Sequence, residues 1–126
     1  MGSTSLLIQS SLSKKESKLD RLERDFRQAR LELDEKRNLL EKKQQQFTQM
    51  LEEEYAMAAT FLQEQELDVE CEWRALNYCI EMYDLEARES SQACLKQIEA
   101  EEESLWQSYQ KERGQLEEQI ERETAQ

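Results

Sequence analysis

The chain has 126 residues, no proline, no histidine and two glycines, and its net charge at pH 7 is -12. Proline and glycine usually separate short elements, so their scarcity excludes a fold of many strands and tight turns. The abundant Glu, Gln, Leu, Arg, Lys and Ala residues are good helix formers. The sequence therefore predicts an all-α protein.

The first helix-start signal lies twelve residues into the chain. Ser13 and Glu16 have the spacing of a capping box, in which each side chain binds a backbone amide at the start of a helix. This signal predicts an irregular segment over residues 1–12 and a coiled-coil helical region over 13–122. Residues 123–126 are expected to fray, as chain ends often do.

Apolar side chains recur every seven residues between positions 12 and 61, with an interruption at Glu54. A second, weaker row with the same spacing contains the apolar Met50 and Met57 but also the charged Lys36 and Lys43. Sustained heptads of this kind are typical of a left-handed coiled-coil seam. The predicted seam residues of this half are Leu12, Leu19, Leu22, Phe26, Leu33, Leu40 and Phe47.

Residues 55–85 are apolar around most of the helix circumference. A helix that is hydrophobic on several faces is buried on several faces, so this stretch should contact more than one neighbour. We favour a multi-helix core, in a homo-oligomer or a folded hairpin, and a dedicated docking site for a partner is the alternative. The partner-contact candidates are Tyr55, Phe61, Leu62, Trp73, Tyr78, Ile80 and Met82.

The last third has a period of eleven residues over positions 76–120, which straightens or reverses the supercoil. Two rows follow this period, and they lie four residues apart on one helix face. The seam residues predicted from them are Leu76, Tyr83, Cys94, Ile98, Leu105, Tyr109, Leu116 and Ile120.

The same residues fit one long helix or an antiparallel hairpin that turns near residues 63–68, where Asp68 could cap a second helix. Helix–helix turns commonly use Gly, Asn or Pro, and this stretch has none of them. The sequence therefore favours the continuous helix over the hairpin.

Charge and cysteine content indicate how the chain associates. Residues 1–50 carry 11 Lys+Arg and 8 Asp+Glu, whereas the remainder carries 6 and 21. This asymmetry favours antiparallel packing, within the chain or between chains, and disfavours nucleic-acid binding. No run of apolar residues is long enough to span a membrane. Cys71, Cys79 and Cys94 are odd in number and have no CxxC spacing, which indicates a reducing compartment and predicts an intracellular, cytoplasmic location.

The residues that catalysis or cofactor binding would require are missing from the sequence. Histidine, the commonest general base, is absent, and no glycine-rich loop is present to hold phosphate. The acidic runs 52–54 and 101–103 lack the glycine turn of a calcium loop, and consecutive helical residues point in different directions. We expect no enzyme activity, metal, cofactor or small-molecule substrate.

Two functions remain open. The first is a structural or scaffolding coiled coil that forms homo- or hetero-oligomers with other helical proteins, for example in a cytoskeletal or ciliary array. The second is a small hairpin escort or stalk. In its coiled-coil character and the spacing of Trp73, Tyr78 and Ile80, the chain resembles stalk proteins of flagellar and type III export machines. That resemblance implies a two-helix protein of a secretion or export machine, although the acidic balance argues against it.

Overall fold

A computed structural model describes the backbone of residues 2–125 and the side chains from Ser5 onward. Helix α1 covers Gly2–Gln63 and helix α2 covers Glu70–Ala125, and the described residues contain no strand. The all-α prediction is confirmed. The two helices pack against each other as a hairpin, so the continuous helix favoured from the sequence is wrong and the turn near residues 63–68 is correct.

The link between the helices needs neither glycine nor asparagine, because no residue in the described part of the chain has a positive φ. The side chain of Gln65 donates a hydrogen bond to the carbonyl of Phe61, 3.1 Å away, and so satisfies one of the last carbonyls of α1. The backbone amide of Glu70 donates to Oδ1 of Asp68 at 3.1 Å, which confirms Asp68 as the cap of α2. A polar side chain thus supplies one hydrogen bond at the end of α1 and another at the start of α2.

The predicted irregular segment over residues 1–12 is also wrong, because α1 begins at Gly2. Ser13 and Glu16 lie exposed within that helix and do not start it. Residues 3–12 contain no helix breaker, and Ser11 reaches Glu123 on the opposite helix. Tertiary contact therefore extends the helix beyond the local start signal. At the other end α2 continues through Ala125, where fraying was expected, and Met1 and Gln126 lie outside the described residues.

The expected single coiled-coil region divides into two compact units. The termini unit consists of Met1–Glu35 and Glu99–Gln126, and the turn unit consists of Lys36–Ile98. Both are antiparallel helix pairs. In the termini unit Ser11 contacts Glu123 and Phe26 contacts Tyr109, whereas in the turn unit Tyr55 and Ile80 line one groove. The antiparallel packing predicted from the charge asymmetry is present, and it is formed by the chain folding back on itself.

Candidate protein-interaction surface

The seam of the termini unit contains every residue that the two periodicities predicted for it. Tyr109 is 8% exposed and Leu33 is 6% exposed. The other predicted residues of this seam are partly buried, and they are Leu12, Leu19, Leu22, Phe26, Leu105, Leu116 and Ile120.

An aromatic cluster crosses this seam. The rings of Phe26 and Tyr109 are stacked, with centroids 4.1 Å apart, and Trp106 lies 5.8 Å from Phe26 and 6.0 Å from Tyr109. Nη1 of Arg113 donates to the Tyr109 hydroxyl at 3.2 Å, and its Nε donates to Glu117 at 2.8 Å. The hydrogen bond from Arg113 to Glu117 is the main reason that the pKa of Arg113 is raised. Trp106 belongs to neither eleven-residue row, so the periodicity did not predict it; its position one turn before Tyr109 is the signal that could have revealed it.

A cluster of three polar side chains links the two helices near the chain ends. Ser11 Oγ donates to Glu123 Oε1 at 3.0 Å, and Lys15 Nζ forms an ion pair with the same oxygen. The hydrogen bond from Lys15 lowers the pKa of Glu123, with a smaller contribution from Ser11, while desolvation partly opposes the shift. The second oxygen, Oε2, is buried and makes no hydrogen bond with the described residues.

In the turn unit the observed seam differs from the predicted one. Leu40, Phe47, Leu76 and Ile98 lie at least partly buried between the helices, but Tyr83 and Cys94 are exposed. Asp84 and Ser91, each partly buried, occupy the seam near them. Of the two eleven-residue rows, only the one from Leu76 to Ile120 stays on the inner face throughout.

The heptad row of α1 also shifts in this unit. Leu51 and Ala58 are buried or partly buried, whereas Met50 and Met57, one residue earlier in each case, are exposed. The step from Phe47 to Leu51 is four residues long, where the heptad would have placed three. Such an insertion moves the buried stripe around the helix, and the two methionines therefore face solvent.

The partner-contact candidates separate into two groups. Leu62, Trp73 and Ile80 are partly buried, because the stretch 55–85 contains the turn and packs on itself. These three residues belong to the hairpin seam, so contacts within the chain account for their partial burial. The other four candidates are exposed, and they are Tyr55, Phe61, Tyr78 and Met82.

The exposed apolar side chains of the turn unit are large and numerous. Met57 is 70% exposed, Phe61 is 63% exposed and Tyr83 is 55% exposed. Single exposed apolar residues are ordinary in proteins, but grouped ones mark interaction sites. The remaining large exposed residues of this unit are Leu39, Met50, Tyr55, Leu67, Tyr78, Met82 and Leu85.

Small side chains leave a groove open in the same unit. Phe47 and Leu40 lie on its α1 side, and Ala87, Ser91 and Cys94 lie on its α2 side, around a volume of about 570 Å³. The three cysteines of the chain are unpaired and exposed. Cys94 therefore borders this groove and is not part of a closed core.

Acidic residues surround the exposed apolar side chains. Residues 50–86 include 11 Asp and Glu and a single base, Arg74. Arg74 Nη2 lies 2.6 Å from Glu70 Oε1, so a neighbouring carboxylate already partners its charge. This part of the turn unit combines apolar area with a concentrated negative charge.

Other kinds of site are not found in the described part of the chain. No group of three or more His, Cys, Asp or Glu residues there could hold a metal ion. Neither helix, as far as it is described, has a stretch apolar and long enough to cross a bilayer. No protein-family model matches the chain, and neither a curated protein nor a solved structure shows significant similarity to it.

Proposed function

We propose that the protein is a non-enzymatic scaffold that associates with other helical proteins through the exposed apolar side chains of its turn unit. The supporting observation is the exposure of Met57, Phe61 and Tyr83 on two helices that already pack against each other. Two helices bury one stripe each against each other, so any further apolar stripe needs another partner.

Such a scaffold would be one component of a larger assembly, for example a cytoskeletal or ciliary array. The proposed location is the cytoplasm, and three exposed, unpaired thiols support it because reducing compartments keep such thiols reduced. The exposed apolar side chains supply contact area, and helix–helix packing supplies specificity.

A photo-crosslinking amino acid placed at Phe61 tests the proposal in intact cells. Mass spectrometry of the products should recover a small set of proteins, joined through segments of helical sequence. Gln110, exposed on α2 in the termini unit, is the matched control position and should capture few of them. Equal capture from Phe61 and Gln110 would contradict the proposal.

A second candidate is an escort or stalk protein of a secretion or export machine. The two-helix hairpin itself favours this candidate, because such a protein was expected to be a small hairpin. The two candidates differ in lifetime of association. A scaffold should remain with its partners during a pulse-chase of the crosslinkable protein, whereas an escort should exchange them as cargo is delivered.

A further inference from the structure

We infer that one side of the turn unit is a docking site for a basic amphipathic helix of another protein. This side, called the Met50 face, consists of Met50, Met57 and Phe61 on α1 and Cys79 and Tyr83 on α2. The inference rests on the proposed function, because it names the chemistry of the partner that the scaffold would bind.

The residues on α1 form one stripe. Met57 follows Met50 by seven residues and Phe61 follows Met57 by four, so the three side chains project in similar directions. All three are exposed, and Met57 and Phe61 line one surface depression together with Glu64.

The residues on α2 lie on the same side of the hairpin as that stripe. The opposite side is marked by a groove that Glu52 of α1 and Glu81 of α2 both line. Glu52 follows the seam residue Leu51, whereas Met50 precedes it. In the same way Glu81 follows the seam residue Ile80, whereas Cys79 precedes it. One residue is 100° of helix rotation, so Met50 and Cys79 share the other side.

Tyr83 continues the α2 stripe, four residues after Cys79 and just before the seam residue Asp84. Two rows of exposed apolar side chains, one on each helix, therefore lie on either side of the line along which α1 and α2 meet. A third helix can pack its own apolar stripe against both rows at once. The Met50 face thus offers two apolar edges to such a helix.

The charges on this face specify the chemistry of its occupant. On α1, Glu54 lies within the stripe and Glu64 lies at its end. On α2, Glu72 lies seven residues before Cys79 and Glu86 lies three residues after Tyr83, so both extend that stripe. All four are exposed. A helix with lysine or arginine beside its apolar stripe would pair with these carboxylates, and an acidic helix would be repelled.

A second copy of the chain fits this face less well. Two Met50 faces in contact would bring together two segments that each carry 11 acidic residues and one base. Like charges placed across an interface disfavour association. Most basic residues of the chain lie before residue 44. Those in the termini unit belong to the same unit as the nine Glu residues of 99–126, which offset their positive charge. Charge complementarity therefore favours a partner with a basic helix.

Three labelled peptides added to the full chain test the inference. They have one shared apolar stripe and net charges of about +6, 0 and -6. Fluorescence anisotropy should show that the basic peptide binds at least about tenfold more tightly than the neutral one, and that added salt weakens this binding. The acidic peptide should bind most weakly.

Two double variants locate the binding site. Met57→Ser with Phe61→Ser should weaken binding of the basic peptide about tenfold or more. The control, Tyr78→Ser with Leu85→Ser, removes comparable apolar area from a stripe on the side of α2 away from the seam and should leave binding unchanged. Circular dichroism should show both variants as helical as the parent, since all four side chains are exposed.

Several results would overturn the inference: no binding of the basic peptide, equal binding of all three peptides, or equal loss in both variants. Sedimentation that shows a dimer of the chain, dissociated by the Met57 and Phe61 changes, would assign the face to a second copy instead. Failure of the proposed function is separately visible. If the proteins crosslinked at Phe61 are joined through acidic or neutral helices, the scaffold role stands. Only the inference that the partner helix is basic is then contradicted.

Discussion

The termini unit and the turn unit carry the same net charge but distribute it differently. The termini unit has 10 Lys+Arg and 16 Asp+Glu, and the turn unit has 7 and 13, so each has a net charge of -6. In the termini unit bases are interspersed with acids, and Lys15 pairs with Glu123 across the helices. In the turn unit the acids gather between residues 50 and 86. The distribution of charge, rather than its sum, distinguishes a candidate binding surface from a solvated one.

The aromatic residues differ in the same way. Phe26 and Tyr109 stack across the seam of the termini unit, where Trp106 covers them. In the turn unit Phe61 and Tyr83 face solvent instead. One unit therefore uses its aromatic side chains to hold the hairpin together, and the other leaves most of them exposed to solvent.

The largest expected effect is on the aromatic cluster of the termini unit. Phe26→Asp removes the stacking partner of Tyr109 and places a charge in an apolar contact, so it should lower the free energy of unfolding by at least about 3 kcal/mol. Urea denaturation followed by circular dichroism measures this loss, and amide exchange should show it in the termini unit first. Asp25→Ala, one residue away and exposed, is the control. If Phe26→Asp lowers the free energy of unfolding as little as the control does, the aromatic cluster does not stabilise this unit.

In the turn unit, one buried and one exposed apolar residue provide a sharper contrast. Leu51→Ala should cost about 2–4 kcal/mol of unfolding free energy, because Leu51 is 8% exposed in the seam. Phe61→Ala should change it by less than about 0.5 kcal/mol, because its side chain faces solvent. Thermal denaturation of both variants gives the comparison. A large loss for Phe61→Ala would show that Phe61 supports the hairpin instead of being available to a partner.

The turn itself should depend on the cap of α2. Asp68→Ala removes the acceptor for the Glu70 amide and should cost about 1 kcal/mol. Asp68→Asn retains a capping oxygen and should cost less, and Glu66→Ala serves as a nearby control. Chemical denaturation separates the three variants. If Asp68→Ala and Glu66→Ala lose equally little, the cap does not determine where the helix restarts.

The smallest expected effect is the pH dependence at Glu123. Its pKa is lower in the folded chain than in the unfolded chain, so the stabilisation is present above the unfolded pKa and is lost as pH falls through the folded pKa. Glu123→Gln should therefore have a slightly lower Tm than the parent near neutral pH. The difference should disappear once the pH lies below the folded pKa. A difference that persists in acid would show that the charge of Glu123 is not its source.

Local patterns in the sequence predicted several particular elements correctly. The heptad row from Leu12 to Phe47 and the eleven-residue row from Leu76 to Ile120 lie on the inner faces, because a period in the sequence places side chains on a fixed side of a helix. Asp68 caps α2 for an equally local reason, since a carboxylate can accept a hydrogen bond from an amide two residues later. The exposure of Phe61 and Met57 could not be predicted this way. It depends on the shift of the seam to Leu51 and Ala58, which only packing against α2 reveals.

The sequence by itself determined that the protein is helical, that its helices carry apolar stripes and that its charge favours antiparallel packing. These properties follow from residue propensity, periodicity and charge, which act over short distances along the chain. Only the tertiary structure decided that the chain turns after Gln63, that α1 extends back to Gly2, and that Trp73 is partly buried while Tyr83 is exposed. The physical reason is that a helical residue becomes interior or exterior through the second helix that packs against it, and no local pattern specifies where that helix lies.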